Sequence, residues 1–204
     1  MENKFDRSAK DWDNNPVRVK IAEKAIQELR HRVSPAPDIQ VLDYGTGTGL
    51  MLLGIQPYAA HVTGMDSSLG MLDVLRGKIK AAEITNVDVL HHNIETEELP
   101  KEAFHLVLSN MTLHHIADTE MFLRKVYHAL KSGGSCCITD LETEDGSFHH
   151  EPDNSIKHLG FDKNELAKHF EATGFEVLHL DTFHEVVRET GRRYPLFMAI
   201  AKKN

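Results

Sequence analysis

The 204-residue chain, 41% hydrophobic and 26% charged, has the composition of an ordinary globular domain, which excludes a disordered chain and a fibrous repeat. Its 23 Lys and Arg against 31 Asp and Glu leave a formal net charge of −8, which disfavours affinity drawn from phosphate contacts, so nucleic acid is not an expected partner. No apolar run nears the ~20 residues that span a bilayer, so no membrane insertion is expected; the opening Met1-Glu2-Asn3-Lys4-Phe5-Asp6-Arg7 lacks the apolar core of a signal peptide, and the expected location is cytoplasmic.

Along the chain, Phe5, Ala9 and Trp12 fall at helical spacing. Asn15-Pro16 follows as an N-cap with proline at the first helical position. Val17, Ile21, Ala22, Ala25, Ile26 and Leu29 then form one apolar stripe, and Ser34-Pro35-Ala36-Pro37 ends that helix. From there short apolar runs alternate with helical patterns, the sign of a parallel sheet covered by helices. Strands are predicted over Gln40–Asp43, His61–Asp66, Asp88–His91, Phe104–Ser109 and Ser135–Asp140. A helix is predicted over Asp118–Lys131, stopped by Gly133-Gly134, and another from the capping-box-like Asp162-Lys163-Asn164-Glu165 to Thr173-Gly174. Phe175–Asp181 and Tyr194–Ala201 have no helix-length pattern between them and are expected to pair as a hairpin; the second, apolar on both faces, belongs inside the sheet, with Pro195 tolerated near its start. The adjacent Cys136 and Cys137 should point to opposite faces of an extended strand, as two buried residues rather than a disulfide. The expectation is one domain over 1–204, with N-terminal helices over 1–34 and an α/β core over 39–204.

The most informative stretch is Val41-Leu42-Asp43-Tyr44-Gly45-Thr46-Gly47-Thr48-Gly49-Leu50, a strand, a three-glycine turn and a helical pattern. Alternate glycines let backbone N–H groups and a helix N-terminus approach a ligand at the carboxyl end of a strand, where open α/β sheets bind their ligands. Asp66, closing the next strand, is placed to accept hydrogen bonds from both hydroxyls of a ribose. A nucleoside-containing ligand is expected; the competing reading is a tight glycine turn with Asp66 capping the next helix. A nicotinamide-dependent dehydrogenase is the chief rival, and Tyr127-His128-Ala129-Leu130-Lys131 even has a YxxxK spacing. That spacing lies in the helix before the fifth strand, and the glycines are GxGxG rather than GxGxxG, so the rival is set aside.

With Asp66, the Val-Leu-Asp-x-Gly-x-Gly-x-Gly run resembles the class I S-adenosylmethionine-dependent methyltransferases, from about residue 39 to 140 and again in the final hairpin. Phe104-His105-Leu106-Val107-Leu108-Ser109-Asn110-Met111-Thr112-Leu113-His114-His115-Ile116 and Leu130-Lys131-Ser132-Gly133-Gly134 resemble the small-molecule branch, of which the ubiquinone- and menaquinone-biosynthesis types are near examples. The resemblance implies a three-layer Rossmann-like fold with a seven-stranded sheet in order 3-2-1-4-5-7-6, strand 7 antiparallel. It implies S-adenosylmethionine as cofactor, S-adenosylhomocysteine as product and a small-molecule methyl acceptor. Asp43, Gly45, Thr46 and Gly47 would hold the methionine end, Asp66 the ribose, and Met65 and Ser67 would flank ribose and adenine. Asn93 would bond the adenine, and Ile94 would offer its backbone amide to it.

Methyl transfer aligns a nucleophile with a carbon already activated by the sulfonium, and a base is needed only for a protonated nucleophile. His114 and His115, after the fourth strand, are the catalytic candidates. Asn110 is expected to face cofactor or substrate. Trp12 and Phe5, with Tyr44, are expected to form an aromatic lid. The polar segment 141–160 is expected to frame the substrate mouth. His149, His150 and His158 within it do not have the spacing of a metal site, and no metal is expected. Arg188, Arg192 and Arg193 make a local basic patch with two readings, a receiver for an acidic substrate or partner and a solvated loop, of which the loop is taken. The remaining alternative is a non-catalytic S-adenosylmethionine- or S-adenosylhomocysteine-binding or regulatory protein on the same fold.

Overall fold

A computed structural model describes residues 4–33, 38–149 and 154–204. The strands are β1 (Gln40–Tyr44), β2 (His61–Asp66), β3 (Val87–His91), β4 (Phe104–Asn110), β5 (Leu130–Leu141), β6 (Phe175–Val187) and β7 (Arg193–Lys203). They form one seven-stranded sheet in the order β3-β2-β1-β4-β5-β7-β6. β1 to β5 pair in parallel, and β7 runs antiparallel to both β5 and β6. Strand order and the antiparallel β7 agree with the expectation.

The helices are α1 (Lys4–Ser8), α2 (Pro16–Arg32), α3 (Leu50–Ile55), α4 (Leu69–Ala81), α5 (Thr119–Ala129) and α6 (Lys163–Thr173), with a 3₁₀ turn over Ala9–Asn14 joining α1 to α2. Asn15 caps α2, its Oδ1 accepting from the Val17 amide at 2.9 Å, and Pro16 opens the helix. Asp162 caps α6 by accepting from the Asn164 and Glu165 amides, while Gly174 closes it at φ 102°. The Glu165 carboxylate does not complete a capping box; one oxygen takes Lys168 at 2.8 Å. The proline stop at Ser34–Pro37 lies outside the described residues.

Helices on both faces divide the core. Phe122, Val126, Ile138, Phe170 and Phe197 fill one side, and Ala25, Leu29, Leu52, Val62 and Ile200 the other. Cys136 joins the first cluster and Cys137 the second, as strand alternation requires, and both are free thiols. A third cluster, Ile21, Leu141, Phe148, Val186, Tyr194 and Leu196, lies where α2 meets the β5–β7 side of the sheet.

The largest departures from the expected boundaries lie at β5 and at the end of β6. The helix predicted to reach Lys131 stops at Ala129, because the fully buried Leu130 pairs with Phe104 and begins β5. Gly133-Gly134 lies instead in the irregularity where the β4–β5 register shifts, with Gly133 at φ 75°. β6 extends to Val187, six residues past the predicted end at Asp181, since cross-strand pairing with β7 continues to Val187↔Arg193. The hairpin connection shrinks accordingly, which fixes Arg188 at the end of a strand.

Candidate functional site

The carboxyl ends of β1, β2 and β4 open into one cavity of about 640 Å³, covered by the N-terminal segment. Gly45, Gly47 and Gly49 all take positive φ, of 72°, 53° and 86°. At Gly45 a Cβ would stand 2.1 Å from Thr112 Oγ1, so that close approach admits only glycine, whereas beside Gly47 the space is open for a ligand. The turn is pinned to β2 by Gly45 and Thr46 amides donating to the Met65 carbonyl at 2.8 and 3.0 Å.

Asp43 and Asp66 face this cradle. Asp43 is buried and accepts from Thr46 Oγ1 at 2.8 Å; burial pushes its carboxyl up to about 7 against that hydrogen bond, with the Asp66 charge adding to the rise. Asp66 accepts from the Gly47 amide on one oxygen and the Ser68 amide on the other, each at 2.8 Å. Burial raises its pKa too, opposed by those N–H donors. Each carboxylate oxygen retains acceptor capacity for hydroxyls entering the cavity. Ser68, not Asp66, caps α4, with its Oγ accepting from Met71 N. The capping role that the competing reading gave to Asp66 is therefore filled by another residue.

Of the residues expected to touch cofactor, Asp43, Tyr44, Gly45, Thr46, Gly47, Asp66, Ser67, Asn93, Ile94 and Asn110 line the cavity. Met65 does not; its side chain is in the core, and it serves the site through its carbonyl. The Ile94 amide is already engaged, donating to the Tyr44 hydroxyl at 2.7 Å, so it is not the free adenine donor expected of it. Asn93 Oδ1 accepts from Glu95 N in an Asx turn that aims the 93–97 loop at the cavity. Asn110 Oδ1 accepts from Thr139 Oγ1 at 2.7 Å, which orients the end of β4.

At the other end of the cavity His114 Nδ1 lies 2.7 Å from Asp140 Oδ1, both side chains buried, and Asp140 Oδ2 accepts from the His114 amide. Burial pushes the Asp140 carboxyl up, but the His114 imidazole and the N–H donors outweigh it and hold the group below the usual carboxylate range. An ionised Asp140 accepts a hydrogen bond from Nδ1–H, which leaves the lone pair on Nε2, an atom that is buried and, among the described residues, without a hydrogen-bond partner; His114 itself lines the cavity. His115 packs 4.0 Å from the His114 ring and donates from Nδ1 to the Ser155 carbonyl; burial and the neighbouring His114 lower it to about 4, so it stays neutral. His149 stands 5.3 Å from His114 and 6.2 Å from His115, so the adjacent pair and a histidine from a distant loop form one ring cluster. The His158 ring meets the Ile116 carbonyl instead, although its amide donates to the His114 carbonyl at 3.2 Å, and His150 is outside the described residues. Among the described residues no three His, Cys, Asp or Glu come together as a metal site.

The N-terminal segment is tied over the cavity. Asp6 Oδ1 accepts from Ser68 Oγ and from Gly70 N at 2.9 Å, and Asp13 takes Thr48 Oγ1 and Lys78 Nζ. Phe5 stacks edge-on to Trp12 at 5.9 Å and to His115 at 5.1 Å, and Arg18 lies over the Trp12 ring at 3.6 Å. Arg188, expected in solvent, reaches the cavity and donates to the Phe148 carbonyl at 2.7 Å, while Arg192 and Arg193 pair outside with Asp145 and Glu185. Sequence reasoning missed Asp140 and set Arg188 in a solvated loop. For Asp140 a signal existed, a lone acid closing an apolar strand as Asp66 does; for Arg188 the signal was only the charge of the local basic patch, because its place depends on where β6 ends.

A methyltransferase-domain family model matches residues 19–180. A demethylmenaquinone methyltransferase of Listeria welshimeri is 31% identical over 142 residues, covering 67% of this chain and 60% of its own length. The chain thus spans less than two thirds of that relative. An S-adenosylmethionine-dependent methyltransferase of Aquifex aeolicus superposes with a TM-score of 0.74 at 20% identity, covering 98% of both chains. Another from Mesorhizobium loti gives 0.70 at 19% identity, over 87% of this chain and 96% of its own. At such identities the two structures speak to the fold.

Proposed function

The chain belongs to the methyltransferase-domain family, and from that membership we propose that it is an S-adenosylmethionine-dependent methyltransferase acting on a small-molecule acceptor. The observation that carries the reading is the pair Asp43 and Asp66, closing adjacent strands around a positive-φ glycine turn in a single cavity. The donor set fits such a cofactor: a buried carboxyl able to meet an ammonium, a second carboxylate with spare acceptor capacity for ribose hydroxyls, and an amide-bearing loop beside them. When bound, S-adenosylmethionine supplies a methyl group made electrophilic by its sulfonium.

The protein's own residues do the rest. Asp43, Gly45, Thr46 and Gly47 hold the amino-acid end and Asp66 the ribose. Asn93, with an amide able both to accept and to donate, reads the adenine edge without help from the Ile94 amide. Phe5 and Trp12 exclude water as a lid. His114 Nε2 takes the proton of an acceptor that arrives protonated, with Nδ1 held by Asp140. His115, neutral and packed on His114, shapes the pocket. Among the described residues no helix is long and apolar enough to cross a membrane. Two buried unpaired thiols suit a reducing compartment, and the cytoplasm is the proposed location.

Calorimetric titration with S-adenosylmethionine, S-adenosylhomocysteine and NADH tests the cofactor assignment. Micromolar binding of the first two without NADH is expected; NADH binding alone overturns it. Retention of full activity by both His114→Ala and His115→Ala across neutral pH overturns base catalysis.

A further inference from the structure

The acceptor end of the cavity is built around a cation that the cofactor assignment leaves unused. Arg188 sits one residue beyond β6 and lines the cavity together with Ile21, Met111 and Phe148. Its guanidinium carbon lies 5.2 Å over the Phe148 ring and 6.0 Å from that of Tyr194, and one terminal nitrogen donates to the Phe148 carbonyl. Among the described residues the buried Nε has no hydrogen-bond partner, and no carboxylate stands at ion-pair distance from this side chain. A guanidinium carries five N–H donors in a rigid fork, and a buried, unpaired member of that fork is costly. The neighbouring Arg192 and Arg193, by contrast, have their own carboxylates.

A short path joins Arg188 to the proposed base. The His149 ring is 5.1 Å from Phe148 and 5.3 Å from His114, whose Nε2 is also buried and, among the described residues, without a hydrogen-bond partner. Two rings, Phe148 and His149, stand along that path, and Ile21 and Met111 line the same cavity. We propose that Arg188 is an anion anchor and that the acceptor is a planar, largely apolar molecule bearing a carboxylate, held there with its methylated group turned toward His114. A carboxylate matches the single positive charge and the planar fork with the donors that Phe148 leaves over. The proposal rests on the assignment of this cavity to methyl transfer.

The test is calorimetry on protein saturated with S-adenosylhomocysteine, titrated with 4-hydroxybenzoate and 6-hydroxy-2-naphthoate and with the corresponding carboxamides. At least one acid should bind tenfold or more tightly than its amide. R188Q, which keeps a donor for the Phe148 carbonyl but loses the charge, should abolish that preference while leaving amide binding unchanged, and R188K should restore part of it. Equal binding of acid and amide, binding of neither, or an acid preference that survives R188Q overturns the anchor. S-adenosylhomocysteine affinity, read in the same experiment, reports separately on the cavity assignment: its loss in the wild-type protein sinks that reading, while its retention without an acid preference sinks only this one.

Discussion

His114 and Asp140 meet at 2.7 Å across the ends of β4 and β5, with side chains 2% and 0% exposed. Asp140 also accepts from the His114 and Leu141 amides, so a single carboxylate fixes the ring, its tautomer and the backbone that carries it. Asn in its place would offer an amide N–H to Nδ1 and drive the proton to Nε2. Asp140→Asn should therefore lower turnover ~10²- to 10⁴-fold while leaving S-adenosylmethionine affinity nearly unchanged. Nitrogen-15 NMR of the imidazole checks the cause directly: Nδ1–H in the wild type and Nε2–H in the variant. An unaltered tautomer would remove the argument.

Asp66 is expected to be the largest single contributor to ribose recognition. Asp66→Ala removes two charge-assisted hydrogen bonds, each worth ~1.5–3 kcal/mol, so the Kd for S-adenosylmethionine and S-adenosylhomocysteine should rise at least ~10-fold. Part of that loss comes from freeing the Gly47 amide. Unchanged affinity for both ligands would show that the ribose is held elsewhere.

Affinity should also depend on pH through Asp43. Its carboxyl, raised to about 7 by burial, is partly protonated at neutrality in the ligand-free protein, and an arriving ammonium favours the ionised form. S-adenosylmethionine binding should weaken by up to ~10-fold per unit as pH falls below about 7, and release a proton there. For stability the sign is the reverse: a folded pKa above the ordinary 3.8 favours the fold below that value, and this contribution is lost as pH rises through about 7. Asp43→Asn should flatten both dependences, which calorimetry and thermal melts at several pH values would show.

Asp6 holds the lid. Its carboxylate occupies the first turn of α4 through Gly70 N and Ser68 Oγ, a cap-like contact worth ~1 kcal/mol. Asp6→Ala should speed release of S-adenosylhomocysteine ~5-fold, by the same ~1 kcal/mol, with little change in association. Stopped-flow displacement gives both rates; an unchanged off-rate would mean that Phe5 and Trp12 do not gate the cavity.

Gly45 offers a steric check. A methyl group there collides with the Thr112 side chain at φ 72°, so Gly45→Ala should cost ~2–4 kcal/mol by denaturant unfolding, whereas Gly47→Ala, with open space around it, should cost less and act chiefly on ligand affinity.

Much of this was legible in the sequence because it is local. The strand–glycine–helix run at 41–50, the acid closing β2, the Asn15-Pro16 cap and the alternation that sends Cys136 and Cys137 into opposite clusters follow from backbone periodicity and steric rules acting over a few residues. What the sequence left to the tertiary structure involves pairs far apart in the chain. The Ile94 amide is taken by Tyr44, 50 residues away, and His114 is oriented by Asp140, 26 residues on. Arg188 enters the cavity because pairing with β7 carries β6 past the point where its own hydrophobic pattern fades. Periodicity assigns a face to a side chain. Which donor it meets there is decided by strand register and by the burial that makes an unpaired polar group costly, and both exist only once the sheet has formed.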